Sequence, residues 1–210
     1  MALAVGLIES GLAPGDAVLS WLPSHFAEEH VLQFACSKAG LILYNLDPYV
    51  AVLDTKAAKE ALDAALTLTK ANALISMEAG NDVNYTRLIE AVIPETRIFN
   101  FEDGMPFITP RYPHLRLPIH TGLEYDDTPG MIPLYDIICP THNLEGSMKG
   151  TKVDGTTPLA GVMDVSADGI PTKIGKPLTN DEVVKSGMWP EFSSILNKEY
   201  SEVKGVGVVY

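Results

Sequence analysis

A strand–helix–strand pattern in residues 17–46 constrains the fold of this chain more than any other feature of its sequence. A Pro-Gly-Asp turn signal at residues 14–16 precedes an apolar run at 17–22, which predicts a buried strand. A second apolar run at 41–46 predicts another strand. Because a helix separates the two strands, we expect them to lie parallel with a right-handed crossover.

The intervening helix is predicted from apolar residues at helical spacing. Ser24 is its expected cap, Glu28 lies near the positive end of the helix dipole, and Gly40 is the expected stop. The inward face is expected to contain Val31, Phe34, Ala35 and Ala39.

The same alternation continues along the chain. A helix is predicted over 54–70, capped by Asp54 or Thr55, followed by a strand at 71–76. A further helix at 84–92, ended by Pro94, and a strand at 97–101 come next. The first twelve residues read as the end of a helix. The fold class expected is therefore α/β, with a layered, parallel-type sheet and flanking helices.

The amino-acid composition excludes several classes of function. The chain has 210 residues, of which 46% are apolar and 20% charged, enough for one domain with a sizeable core. Its net charge of -12 argues against nucleic acid or an anionic membrane surface as the main partner. No apolar run approaches the length of a membrane span. Two isolated cysteines, Cys36 and Cys139, favour a reducing compartment without a disulfide framework.

One stretch of about forty residues resembles a known family. The resemblance rests on these residues: Gly11-Leu12, Pro14-Gly15-Asp16, Val18, Leu22-Pro23, Glu28, Gln33-Phe34-Ala35, Lys38-Ala39-Gly40 and Asp47-Pro48. They resemble the start of the large N-terminal domain of the adenylate-forming superfamily, which includes acyl-CoA synthetases, coumarate-CoA ligases and luciferases. The resemblance implies a βαβ scaffold, and none of the matched residues is catalytic.

A second segment extends the resemblance to residue 138. Residues 112–122, Pro129-Gly130-Met131 and residues 134–138 are similar in order to a segment of medium-chain and fungal acyl-CoA synthetases. We therefore expect residues 1–140 to form an acyl-CoA-synthetase-like α/β half-domain. Residues 141–210 are expected to form a divergent tail that packs on the core or on a partner.

The resemblance implies a phosphate loop beyond this point, with backbone N–H groups and a lysine around the ATP phosphates. At residues 165–176 the chain offers only a degenerate copy, in which Ser166, Gly169 and Lys173 are the aligned candidates. Asp168 replaces a hydroxyl residue there and would repel a triphosphate. A second candidate, residues 154–158, has Pro158 where the family has glycine. Both are expected to be surface turns.

The other motifs of the family are not found. The chain contains no aromatic-Gly-x-Thr-Glu stretch for adenine and magnesium, and no segment matching the domain with the catalytic lysine. We therefore expect a truncated, degenerate relative with no catalytic residue and no cofactor. ATP and CoA would be its cofactors only if it were a piece of a working ligase.

No metal site is expected. His25 and His30 are five residues apart, so they lie on different faces of a helix and not on one face as in a zinc helix. Surface positions are expected for His114, His120 and His142, which lack zinc-like spacing. The pair Asp126-Asp127 reads as a turn former.

Three hypotheses remain open for function. In the first, the chain is a non-catalytic accessory subunit bound to other protein subunits in a larger, mitochondrial assembly. In the second it is a split part of an ATP-dependent acyl-CoA ligase, and in the third it binds an acyl or CoA ligand without chemistry. The tail supplies an amphipathic helix at 190–200 and a terminal strand at 203–210, which cover the core or dock on a partner. Its apolar residues are Trp189, Phe192, Ile195, Leu196 and Tyr200.

Overall fold

The fold was examined in a computed structural model, which describes residues 1–80, 82–122, 130–139, 148 and 150–197. The strands are β1 (Ala17–Trp21), β2 (Ile42–Asn45), β3 (Ala73–Ser76), β4 (Ala79–Gly80), β5 (Val83–Asn84), β6 (Leu117–His120), β7 (Ile132–Pro133), β8 (Pro158–Ala160), β9 (Met163–Val165), β10 (Pro171–Ile174) and β11 (Leu178–Thr179). The helices are α1 (Ala2–Glu9), α2 (Ala27–Ala39), α3 (Tyr49–Leu53), α4 (Thr55–Thr69), α5 (Tyr85–Val92), α6 (Leu134–Ile137), α7 (Asn180–Ser186) and α8 (Pro190–Asn197).

Seven of the strands form one sheet in the order β11-β8-β2-β1-β3-β6-β7. Every pairing in it is parallel except that of β8 with the edge strand β11. The predicted strands at 17–22, 41–46 and 71–76 are confirmed, and so is the parallel pairing of the first two. Val18, Leu19, Leu43 and Leu74 are fully buried in the centre of the sheet. The predicted α/β fold class is therefore correct.

Helix α2 begins later than the sequence predicts. Its N-cap is Phe26 in an extended conformation, without a side-chain cap, so the capping role expected for Ser24 is wrong. The amide of Phe26 donates to the carbonyl oxygen of Pro23, which closes a turn where the first helical turn was expected. The predicted stop is confirmed, because Gly40 adopts the left-handed conformation with φ of 71°.

The buried face of α2 also differs from the expected one. Val31 is half exposed, whereas Leu32 and Cys36 are buried beside Ala35 and Ala39. Two polar residues, Glu29 and Gln33, lie on the same buried face. The expected inward positions of Ala35 and Ala39 are therefore confirmed, Phe34 is half-buried, and the position expected for Val31 is wrong.

Three further helices agree with their sequence signals. In α4 the side chain of Asp54 accepts a hydrogen bond from the amide of Lys56, and the apolar residues Leu62, Ala65 and Leu66 are buried. Asn84 caps α5 by accepting from the amide of Arg87. The N-terminal residues form α1, as expected. Local capping and propensity were sufficient signals for these elements.

The predicted strand at residues 97–101 is wrong. Two short 3₁₀ helices, Pro94–Arg97 and Phe101–Asp103, occupy this region. Ile98 is 86% exposed, and the neighbour of β3 in the sheet is β6, which lies further along the chain. A run of apolar and aromatic residues forms a strand only where a partner strand is available for its backbone, and here none of the described strands pairs with it.

The later residues join the same sheet and pack on the same helices. Ala160 of β8 pairs with Leu43 of β2. Phe192 of α8 is fully buried, with its ring centroid 4.9 Å from that of Phe34 on α2. The predicted tail helix is confirmed as far as Asn197, and its last three residues and the strand expected at 203–210 lie outside the described ranges. Within those ranges no helix is both long and apolar enough to span a bilayer.

Candidate functional site

A crevice of about 550 Å³ opens at the carboxyl ends of β1, β2 and β3. Strand β1 lies between the other two, so the chain crosses from one side of β1 to the other on its way to β3. Open parallel sheets bind ligands at such a switch point, because the connecting loops diverge there and leave a cleft. The topology makes this crevice the candidate binding site.

The floor of the crevice contains a buried carboxylate. Glu29, in the first turn of α2, is 1% exposed and accepts hydrogen bonds from three neutral side chains. The hydroxyl of Ser20 donates to Oε2, while the amides of Asn45 (2.6 Å) and Gln33 (3.2 Å) donate to Oε1. Ser20 and Asn45 are register partners on β1 and β2, so the ends of two adjacent strands hold one carboxylate.

Aromatic and apolar side chains form the walls. Tyr85 stands edge-on to Trp21 with ring centroids 5.1 Å apart, and its hydroxyl donates to the carbonyl oxygen of Pro48 at 2.9 Å. This bond fixes the segment after β2 against the start of α5. Trp189, which precedes α8, closes another side of the crevice. The walls therefore come from four separate parts of the chain.

The electrostatic character of the crevice is acidic. Among the described residues, its lining includes Glu29 and Asp47 and no lysine or arginine. Burial, and secondarily the charge of Asp47, raise the pKa of Tyr85 above its ordinary value. Burial and then the charge of Glu29 likewise raise the pKa of the Cys36 thiol, so this fully buried cysteine is held in its protonated form.

The residues of the phosphate-loop candidate lie elsewhere, in the antiparallel hairpin of β9 and β10. The amide of Gly169 donates to the carbonyl oxygen of Ser166 (3.0 Å), and that of Ile170 to the Ser166 hydroxyl (3.2 Å). The Ser166 amide in turn donates to the carbonyl oxygen of Ile170 at 2.8 Å. Three amides of the loop are thus used to close the turn. Lys173 is exposed on β10, and Asp168 is exposed at the tip.

The second candidate, residues 154–158, is a hydrogen-bonded turn on the surface. The Asp154 carboxylate accepts from the amide and hydroxyl of Thr156 and from the hydroxyl of Thr157. These bonds, with the Thr156 hydroxyl first, lower the pKa of Asp154. The carboxylate is satisfied by its own loop, as expected of a turn former.

The four histidines in the described ranges lie on different parts of the fold. His30 lies on α2, with Nε2 3.0 Å from the carbonyl oxygen of Ser24 and 3.6 Å from Glu191, whereas His25 precedes the helix and packs edge-on against Phe26. His114 is exposed, as predicted. The surface position predicted for His120 is wrong, because this residue is 1% exposed on β6. Burial lowers its pKa, against the opposing charge of Asp136.

Metal binding finds no support in the described ranges, where no three potential metal ligands of the His, Cys, Asp or Glu type lie together. His142 and the pair Asp126-Asp127 lie outside those ranges. Cys36 and Cys139 are not joined in a disulfide bond.

Sequence reasoning missed the polar residues of the crevice floor. Glu29 and Gln33 were absent from the predicted inward face, although they are four residues apart and therefore share one side of α2. A usable signal was present: Ser20 and Asn45 are polar residues near the carboxyl ends of two predicted parallel strands. Such positions converge at one edge of a sheet.

A curated protein matches the sequence over 60% of this chain. The chain is 30% identical over 134 residues to the Bacillus subtilis (strain 168) protein named "Putative acyl-CoA synthetase YngI", a match covering 60% of this chain and 22% of the relative. This chain therefore spans about a fifth of the length of that protein. No family model matches the chain.

Solved structures show the same fold. The chain is similar to an anthranilate CoA ligase, AuaEII, in complex with anthranoyl-AMP, with a TM-score of 0.60, 17% identity, and coverage of 89% of this chain and 29% of that one. The acetoacetyl-CoA synthetase of Streptomyces lividans gives a TM-score of 0.58 at 15% identity, covering 89% and 25%. The chain is thus similar in sequence to part of a protein named as a putative acyl-CoA synthetase, and similar in fold to part of solved CoA ligases.

Proposed function

We propose that this chain is a pseudoenzyme: an acyl-CoA-synthetase-like unit without catalysis of its own, serving as a structural or accessory subunit of a larger protein assembly. The observation that carries the proposal is the closed turn at residues 166–170. The amides of Ser166, Gly169 and Ile170 donate within the turn, so these three are not arranged as an open cradle for phosphate oxygens.

Charge supports the same proposal. Asp168 places a carboxylate at the tip of the turn, where a triphosphate would meet repulsion. Lys173 is exposed and four residues beyond Gly169, on the outgoing strand of the hairpin. Transfer of an acyl group to AMP needs positive charge at the phosphates, and this hairpin supplies little of it.

The subunit role is part of the same proposal, in which other protein subunits are the partners of this chain. A mitochondrial location belongs to the same proposal and rests on analogy with organellar members of the superfamily.

An ATP–pyrophosphate exchange assay with a panel of carboxylic acids tests the proposal, with a full-length acyl-CoA synthetase as the positive control. We expect no acid-dependent exchange by the chain alone, and co-migration with other proteins in constant stoichiometry during native purification. Acid-dependent exchange that is lost in Lys173→Ala and kept in the control Lys176→Ala would overturn the pseudoenzyme. Purification as an isolated monomer would contradict the subunit role.

A second candidate function is that of one piece of a split acyl-CoA ligase. The 30% identity to an acyl-CoA synthetase homologue favours it. In that case a complementary chain carrying the adenine-binding motif and the catalytic lysine would restore acid-dependent exchange when mixed with this chain. ATP and CoA would then be the cofactors of the reconstituted ligase.

A further inference from the structure

The crevice at the carboxyl ends of β1, β2 and β3 contains a carboxylate with no positive counterpart among the described residues. Glu29 is bonded only to neutral groups, forms none of the ion pairs in these ranges, and no lysine or arginine lines the crevice. The three neutral donors satisfy part of the hydrogen-bonding capacity of the carboxylate but leave its negative charge unpaired. The crevice is therefore electrostatically prepared for a cation.

A second observation points to a ligand with N–H donors. Gln33 lines the crevice and is 4% exposed, and its Oε1 has no hydrogen-bond partner in the described part of the chain. Its Nε2 is committed to Glu29, which sets the orientation of the amide and leaves the acceptor unused. A buried acceptor without a partner destabilises the folded structure. An N–H group arriving from a ligand would remove that cost.

The carboxylate has capacity for another donor. Oε1 of Glu29 already accepts from Gln33 and Asn45, whereas Oε2 accepts only from Ser20. Since a carboxylate offers about four lone-pair sites, one site on Oε2 remains. A donor entering from the crevice would complete the shell of Glu29.

The volume of the crevice and its wall residues indicate the chemical character of the rest of the ligand. A volume of about 550 Å³ lies within the range of small-molecule sites. Tyr49 and Trp189 present aromatic surfaces suited to an apolar body and to a cation above a ring. Asp47 adds negative charge at the rim, which disfavours phosphates and carboxylates.

We propose that the crevice binds a small organic amine in its ammonium form. The ammonium group donates to Glu29 and to Gln33, and the apolar body of the ligand packs on the aromatic walls. The inference stands apart from the proposed subunit role, because it uses none of the residues of the hairpin at 163–174.

Isothermal titration with three ligands of similar size tests this site: 2-phenylethylamine, the neutral 2-phenylethanol and the anionic 3-phenylpropionate. We expect the amine to bind and to quench or shift the fluorescence of Trp189. Binding of the alcohol should be at least tenfold weaker, and the carboxylate should give no saturable signal. Absence of amine binding, or equal binding of amine and alcohol, would overturn the proposal.

Substitutions locate the site. Glu29→Gln should weaken amine binding at least tenfold, whereas the control Glu28→Gln, on the same helix outside the crevice lining, should leave it unchanged. Tyr49→Ala changes an exposed wall residue and should weaken amine binding several-fold. This second variant keeps the assignment testable if the Glu29→Gln protein does not fold. Unchanged affinity in a folded Glu29→Gln protein, or in Tyr49→Ala if the former fails to fold, would refute the assignment.

Discussion

The Nδ2 atom of Asn45 donates a hydrogen bond of 2.6 Å to Oε1 of Glu29, which joins the end of β2 to the first turn of α2. Ser20, at the register position beside Asn45, donates to the other carboxylate oxygen from the end of β1. The carboxylate therefore fastens the helix to two strands. It also forms the floor of the crevice.

Substitution of this donor should destabilise the protein. Asn45→Ala is expected to lower the free energy of unfolding by about 1–2 kcal/mol, because a buried carboxylate loses a hydrogen bond while water can reach the exposed position of Asn45. Urea titration measures the change. In a Glu29→Gln background the same substitution should cost less, and an equal cost in both backgrounds would show that the two side chains are not coupled.

The packing of α8 on α2 gives a second prediction. Phe192→Ala should lower the free energy of unfolding by about 3–5 kcal/mol, since it removes a fully buried ring that contacts Phe34 and Trp189. Ile195→Ala on the same helix is the control, because this side chain is 48% exposed and should change stability by about 0.5 kcal/mol or less. Similar effects of both substitutions in thermal or urea unfolding would contradict this packing.

A third prediction reverses the usual effect of glycine in a helix. Replacing a helical glycine by alanine normally stabilises by about 0.5–1 kcal/mol. At Gly6 of α1, however, an added Cβ would lie 1.5 Å from the carbonyl oxygen of Ile137. Gly6→Ala should therefore lower the melting temperature, because α1 and α6 must separate. A raised melting temperature would mean that the two segments do not make this close approach.

The buried residue His120 gives a prediction for how the stability of the fold depends on pH. Burial lowers the pKa of His120 below its ordinary value of 6.5, so the unfolded chain takes up a proton before the folded chain does. Stability from this residue is present above pH 6.5 and is lost as the pH falls through the folded pKa. His120→Gln should flatten the acid side of the stability curve, whereas the exposed His114→Gln should leave its shape unchanged. Identical curves for His120→Gln and the unsubstituted protein would contradict the prediction.

Local signals were sufficient for most of the fold. The cap at Asp54, the stop at Gly40 and the apolar runs of β1 and β2 each act within a few residues, so their structural outcome can be predicted from the chain alone. The prediction of a strand at 97–101 is wrong because a strand also needs a neighbouring strand for its backbone hydrogen bonds. The position beside β3 is taken by β6, which lies some twenty residues later.

The candidate site was less accessible to sequence reasoning. Polar residues in an amphipathic helix are normally assigned to the solvent face, and for that reason Glu29 and Gln33 were not expected inside. Their burial depends on donors supplied by two strand ends, Ser20 and Asn45. In the hairpin, the candidates Ser166 and Gly169 were correctly located in a turn. The use of their amides within that turn is visible only in the structure.

The sequence by itself determined the parallel α/β scaffold, because hydrophobic periodicity, caps and turn residues act locally. Its residue motifs separately carry the resemblance to acyl-CoA synthetases. Tertiary structure decided which side chains meet at the switch point of the sheet. That outcome depends on register and strand order. They bring Ser20 and Asn45, on two strands separated along the chain by α2, within hydrogen-bonding distance of Glu29.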